Sequence, residues 1–358
     1  VDSGATIDAG SGADSLYFAS ADLSGGYVTN AFTLNGADSF SLQGTNTLVF
    51  GALTVSGAQV SFGANNDMAT FSGAIAAGVN IYGGGGTDTL RFTSGMAGTV
   101  DALTANDQVF LTGTNTVLFS GAVAAGAQVS FGSGTDFATF AGAINAASIY
   151  GGAGADTLRF EGNIGAATID AGLGNDSLNF QDVALAGSTV YGGGATNIFS
   201  GGISVGVGGV SFWGGAGADN FNFTSISNAT NTAYFWNDGA GDDTINLEGA
   251  TTVTGNFGFG ITANAGLYIS YGTAGNGDIS ATDVFSAQTS NLFSVGGTSS
   301  IVTMGGSTTL LTLAWGSGAM VSFFGAAGIS ADFYQEAGFV AGAGTATFGI
   351  GQSFPTFS

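Results

Sequence analysis

The sequence predicts an all-β fold, a parallel β-helix (β-solenoid) with coils of about 23 residues, one Gly–Asp turn per coil and a less regular β-rich C-terminal cap. Three observations predict it: long internal duplications, an Asp that returns at near-constant spacing, and alternation of apolar and polar residues after each Asp. The duplications are direct. GTNTLVFGALTVSGAQVSFG at 44–63 returns as GTNTVLFSGAVAAGAQVSFG at 113–132, offset by 69. The match continues from NDMATFSGAI (66–75) to TDFATFAGAI (135–144), and from IYGGGGTDTLRF (81–92) to IYGGAGADTLRF (149–160). ATIDAGSGADSLYF (5–18) and ATIDAGLGNDSLNF (167–180) form a further pair.

Inside the large repeat runs a smaller one. Asp closes a Gly-rich turn at 14, 38, 67, 88, 107, 136, 156, 176, 219 and 243, and Asn197 fills the one gap. The steps range from 19 to 29 residues, and three of them (29, 21, 19) make up the 69-residue repeat. Two residues after each anchor stands an apolar side chain such as Leu16, Leu90 or Leu158. Four after, the residue is usually Phe, as at Phe18, Phe71, Phe92, Phe140, Phe160, Phe180 and Phe223. Polar residues lie between, which is the period of a strand with one buried face. Seven residues before the anchor comes another apolar position, among them Ile81, Val129 and Ile149. Each unit therefore reads as strand, turn, strand. A unit this short cannot bury its apolar face alone, whereas stacked coils bury it continuously and pile the Phe into an internal column. A Gly-rich β-sandwich is the alternative, but it does not require so regular an offset. The repeat array is expected over 1–248 and a β-rich capping and assembly region over 249–358.

Composition narrows the function. Lys plus Arg number 2 against 24 Asp plus Glu, for a formal charge of −22. Nucleic acids and anionic membranes are therefore poor partners, since phosphate binding rests on Lys and Arg; cations are good ones. With 44% apolar residues and 30 Phe, the chain carries enough hydrophobic surface for a large core. There is no Cys and no His, which removes disulfides and the commonest general base. The uncharged stretch 300–331 is the one candidate membrane span, but its Gly316-Ser317-Gly318 break reads better as strands around a turn, and no membrane insertion is expected. The chain starts at Val1 and shows no signal peptide, so it reads as a processed or trimmed piece.

The turns carry the chemistry. They read GSGAD (10–14), GGGGTD (83–88), GGAGAD (151–156), GLGND (172–176), GGAGAD (214–219) and DGAGDD (238–243). With the apolar residue that follows, they resemble the nonapeptide GGxGxDxUx of the repeats-in-toxin (RTX) family. That resemblance implies secretion by a type I exporter and Ca²⁺ held between stacked turns by Asp carboxylates and glycine carbonyls. Carried over by position, the metal residues would be Asp14, Asp88, Asp156, Asp176, Asp219 and Asp243, with Asp67 and Asp136 in looser turns. Family β-rolls use two such turns per coil. Here there is one, so calcium turns are expected along a single edge. Electrostatics argues independently for a cation. Carboxylates stacked about 4.8 Å apart repel by about 1 kcal/mol per pair in water and by roughly 3.5 kcal/mol at an effective dielectric near 20. Ca²⁺ accepts the irregular oxygen ligands such turns offer. The competing reading is a plain turn, each Asp bonding its own backbone and facing solvent.

Arg91 and Arg159 occupy the same place in TLRF, facing outward, where they are solvated or pair with nearby acids. No Lys or His is available to handle a proton, and every strong Asp belongs to the repeat, so no enzyme is expected. The leading expectation is an extracellular structural protein at a bacterial cell surface, resembling RTX-like surface-layer proteins. It would be a surface-layer subunit or filament whose copies assemble with Ca²⁺. The alternative is a secreted adhesin that presents polar rows and Phe110, Phe137 and Tyr17 to polysaccharide.

Overall fold

A computed structural model describes residues 39–237 almost throughout (44, 51, 52, 54 and 55 apart), with Ser15–Phe18 before them and ten further strands between Asp243 and Phe348. Parallel strands in stacked coils build the whole of it, and no helix occurs among the described residues. The β-solenoid expected from the repeats is the fold. Its chain divides into two compact units, Val1–Leu173 and Gly174–Ser358.

In the first unit each coil contributes a strand to each of two main ladders. The first ladder runs through Thr47–Phe50, Met68–Phe71, Thr89–Phe92, Gln108–Leu111, Gln128–Ser130, Ser148–Tyr150 and Thr168–Asp170. The second runs through Ser15–Phe18, Ser39–Leu42, Gln59–Ser61, Asn80–Tyr82, Thr99–Val100, Thr116–Phe119, Phe137–Phe140 and Thr157–Phe160. Single bridges stitch the corners, as in Leu53–Ile75–Met96 and Leu103–Val123–Ile144.

Alternation decides what goes inside. In Thr89–Phe92, Leu90 and Phe92 are buried and Arg91 is exposed. In-register stacking then puts like on like. Phe50, Phe71 and Phe92 stack at 4.8 and 4.7 Å on the first ladder. Phe119, Phe140 and Phe160 stack at 4.7 and 5.4 Å on the second. Each column also meets another ring edge-to-face, Phe50 against Phe40 at 5.6 Å and Phe119 against Phe131 at 6.5 Å, the favoured aromatic geometry. The expected spine is thus a pair of columns.

The second unit repeats the plan with longer strands. Ser177–Ala186 pairs with Ile198–Val205, and Ser188–Gly193 pairs with Val210–Gly215. Asn220–Asn237, 18 residues long, pairs with both Ile198–Val205 and Val210–Gly215. Beyond 248, where a less regular cap was expected, parallel pairing continues. Asp243–Asn246, Leu267–Tyr271, Leu292–Val295, Leu311–Trp315 and Ala331–Gln335 form one run. Asp278–Ala281, Ile301–Gly305, Met320–Phe324 and Thr345–Phe348 form a separate sheet. Residues 300–331 accordingly hold strands, as their Gly316-Ser317-Gly318 break implied, and no described helix is long and apolar enough to cross a membrane.

Coil lengths differ from expectation. Successive paired strands from Thr47 to Asn220 lie 19 to 22 residues apart, not about 23. The reason is a change of ladder. Thr47, Met68, Thr89 and Gln108 succeed one another on the first ladder. One 69-residue repeat after Thr47 stands Thr116, only eight residues beyond Gln108 and on the second ladder. The long step from Asp107 to Asp136 is therefore no long coil: it is a crossing from one ladder to the other followed by one ordinary coil.

Turn geometry requires glycine at the coil corners. Gly152 has φ 97°, and a Cβ there would overlap the Gly132 carbonyl oxygen of the neighbouring coil. Gly152→Ala is expected to destabilise the chain by at least about 2 kcal/mol, combining left-handed strain with the clash. A urea midpoint measured against wild type checks it.

Candidate functional site

The acids gather into two files in the first unit, not along one edge. Asn46, Asp67, Asp88 and Asp107 stand immediately ahead of first-ladder strands, whereas Asn115, Asp136 and Asp156 stand ahead of second-ladder strands. Asp88 and Asp156, equivalent in the repeat, are thus on different ladders, because each copy of the 69-residue repeat swaps faces relative to the last. Where a file is absent, small or apolar residues take its place. Ala127 and Ala147 follow Asp107 in register, and Met96 precedes Asn115. In the second unit Asp176, Asn197 and Asp219 form the corresponding file. Asp14 lies outside the described residues; Asp243 begins a paired strand.

These side chains are buried. Asp67, Asp88, Asp107, Asp136, Asp156, Asp176 and Asp219 are all at most 3% exposed, and Asn46, Asn115 and Asn197 at most 1%. Their bonds run between coils. The backbone N–H of Asn46 donates to Asp67 Oδ1 at 2.7 Å, that of Asp67 to Asp88 Oδ1 at 2.8 Å, and that of Asp88 to Asp107 Oδ1 at 2.8 Å. On the other ladder Asn115 N–H donates to Asp136 Oδ1 at 2.7 Å and Asp136 N–H to Asp156 Oδ1 at 2.8 Å. The second unit repeats this from Asp176 to Asn197 at 3.0 Å and from Asn197 to Asp219 at 2.7 Å. The plain-turn reading, with each Asp bonded to its own turn and facing solvent, does not describe these acids. Asp107 matches its bonding half, since Thr104 N–H and Oγ1 donate to its Oδ2 at 2.6 and 3.1 Å.

Asn197 was read as filling a gap in the series, but Asn46 and Asn115 were missed as members of the files. Asn46 and Asn115 keep the stacking bond without the charge, and each donates Nδ2 to the next Asp Oδ1 at 2.7 Å; Asn197 does so at 2.9 Å. The signal was available: GTN stands at 44–46 and again at 113–115, eight residues after Asp38 and Asp107.

Electrostatics follows from burial. Desolvation raises the carboxyls of Asp67, Asp107 and Asp136 above their ordinary range, against the lowering effect of the bonds they accept. Asp88 is pushed up to about 7, first by desolvation and further by the like charges of Asp107 and Asp67 on either side. The Oδ2 atoms of Asp67, Asp88 and Asp136 are buried and accept no hydrogen bond. Burying an ionised carboxylate with one oxygen unpaired is costly, so each such group takes a proton or a cation.

A hard cation fits part of this arrangement. A Cβ on Gly83 would lie 3.3 Å from Asp88 Oδ2 and 3.9 Å from Asp107 Oδ2, so two carboxylate oxygens from successive coils face one bare glycine. Among the described residues no group of three or more acids converges, so further ligands would have to be main-chain carbonyls or water. The two arginines are placed differently from one another. Arg159 pairs with Glu161 at 2.9 Å on the surface, while Arg91 lies over the Phe110 ring at 5.3 Å.

No protein-family model, curated protein or solved structure matches the chain.

Proposed function

We propose that this chain is an extracellular structural protein, a subunit of a bacterial surface layer or filament, and not an enzyme. The observation that carries the reading is the use made of the acids. They are the chain's abundant charged groups, and Asp67, Asp88, Asp107, Asp136, Asp156 and Asp219 each bond one coil to the next. Their chemistry is distributed along the solenoid where catalysis would concentrate it at one place.

Ca²⁺ is the proposed partner of the files, near Gly83, Asp88 and Asp107 and at the equivalent turns. It would relieve the buried charge there. At surface acids such as exposed Glu161 and half-buried Asp170 it would bridge copies of the chain. A second reading, a secreted solenoid that binds polysaccharide, is favoured by the outward row in which exposed Tyr191 stacks on Trp213 at 6.1 Å.

Electron microscopy of the purified chain with CaCl₂ and with chelator separates the two. Ordered sheets or fibres that form with calcium and dissolve on chelation support the structural role. A monomer under both conditions contradicts it.

A further inference from the structure

The second unit contains a cavity of about 350 Å³ on the outward face of its Ser177–Ala186 ladder, and the chain builds it with a bulge. Between Phe180 and Val183 the strand carries more residues than its partner, which goes from Gly201 to Ile203. Asp182 absorbs the excess at φ 53°, a left-handed conformation Asp adopts more readily than most residues. Its carboxylate then lies over Gly202, where any Cβ would overlap it, and accepts from Ser225 Oγ two coils away at 3.5 Å.

The rest of the lining is polar and neutral. Asn179 Nδ2 donates to Ser200 Oγ at 3.0 Å, and Gln181 Nε2 donates to Asn179 Oδ1, so the amides are held in place by one another. Asn222 and Thr224 complete the wall.

We propose that this cavity binds a neutral saccharide unit. With no Arg or Lys in the lining, an anionic ligand would meet only Asp182 and would be repelled. The space is that of about ten water molecules, far more than a bare cation occupies, and one carboxylate is a poor cation site. Amide groups offer a donor and an acceptor side by side, which matches a pair of neighbouring sugar hydroxyls, and a carboxylate accepts from a third. Gln181, Asp182, Asn222 and Thr224 are exposed at the rim, so a longer chain can run on beyond the bound unit. The site goes beyond the structural role and rests on the bulge alone: a chain that does not polymerise would leave it intact.

Isothermal titration calorimetry in chelator tests it, with maltohexaose, cellohexaose and laminarihexaose as probes and a separate CaCl₂ titration without chelator. At least one hexaose is expected to bind with a roughly millimolar or tighter constant. Asn222→Ala and Gln181→Ala should each weaken it at least tenfold with unchanged circular dichroism; both side chains sit at the rim and neither supports the core. Three silent hexaoses, heat from calcium alone, or variants that bind like wild type would overturn the proposal.

Discussion

Replacing Phe140 with alanine is expected to destabilise the chain by about 3–5 kcal/mol, the largest loss from any single side chain considered. Phe140 is 1% exposed and stacks between Phe119 at 4.7 Å and Phe160 at 5.4 Å, with ring planes within 11°. Truncation opens a cavity between two rings that parallel strands on either side hold at a fixed separation, so neither ring can collapse into the space. Part of the loss is stacking itself, about 0.5–1.5 kcal/mol for each aromatic pair. Phe140→Leu, which refills most of the volume, should cost less than half as much. Urea unfolding monitored by circular dichroism measures both. A loss below about 1 kcal/mol for the alanine variant would mean that Phe140 is not in a packed column.

Asp88→Asn is expected to act in the opposite direction at neutral and alkaline pH. Asn at this position keeps the acceptor for the Asp67 N–H, as Asn197 does for Asp176. Its Nδ2 can donate to the Asp107 carboxylate, as Asn46 donates to Asp67. What it removes is a buried acid whose folded pKa is about 7 against an ordinary 3.8. Above that pH, holding the ionised group inside costs on the order of 3–4 kcal/mol in the absence of a cation. In chelator at about pH 8, therefore, Asp88→Asn should be the more stable protein by a few kcal/mol. At about pH 4 the two should be nearly equal. With calcium present the order should narrow or reverse, because the variant loses the ligand along with the charge. A variant less stable than wild type in chelator at alkaline pH would show that the Asp88 carboxylate is compensated by something other than a cation.

Much of the fold was legible because its signals are local. TLRF at 89–92 and FATF at 137–140 announce strands by alternation, and the glycines of GGAGAD at 151–156 announce the corner that follows Tyr150. The repeated Phe told of stacking, and stacking is what Phe71 and Phe92 do. The change of ladder between Asp107 and Asn115 was hidden, because a crossing and a coil add up to a spacing that looks like one long coil. Asn115 hid it further: it holds the position geometrically while dropping the charge by which the anchors were counted. Burial of the acids was illegible for a different reason. An Asp after glycines resembles any solvent-facing turn residue. Only the register, which sets Asp67, Asp88 and Asp107 one above another under the next coil's backbone, makes an interior acceptor of it. The bulge at Asp182 left no trace in the repeat, since it depends on a count mismatch between two paired strands.

The pH dependence of wild-type melting in chelator tests most directly whether the acids are interior. Groups whose folded pKa is raised bind extra protons in the fold, so their contribution is full below about 4 and is lost as pH rises through about 7. The melting temperature should therefore fall between about pH 4 and about pH 8, and calcium should restore it at the upper end. A melting temperature that rises across that window in chelator would mean that the carboxylates are stabilised by folding, and the buried files would be contradicted.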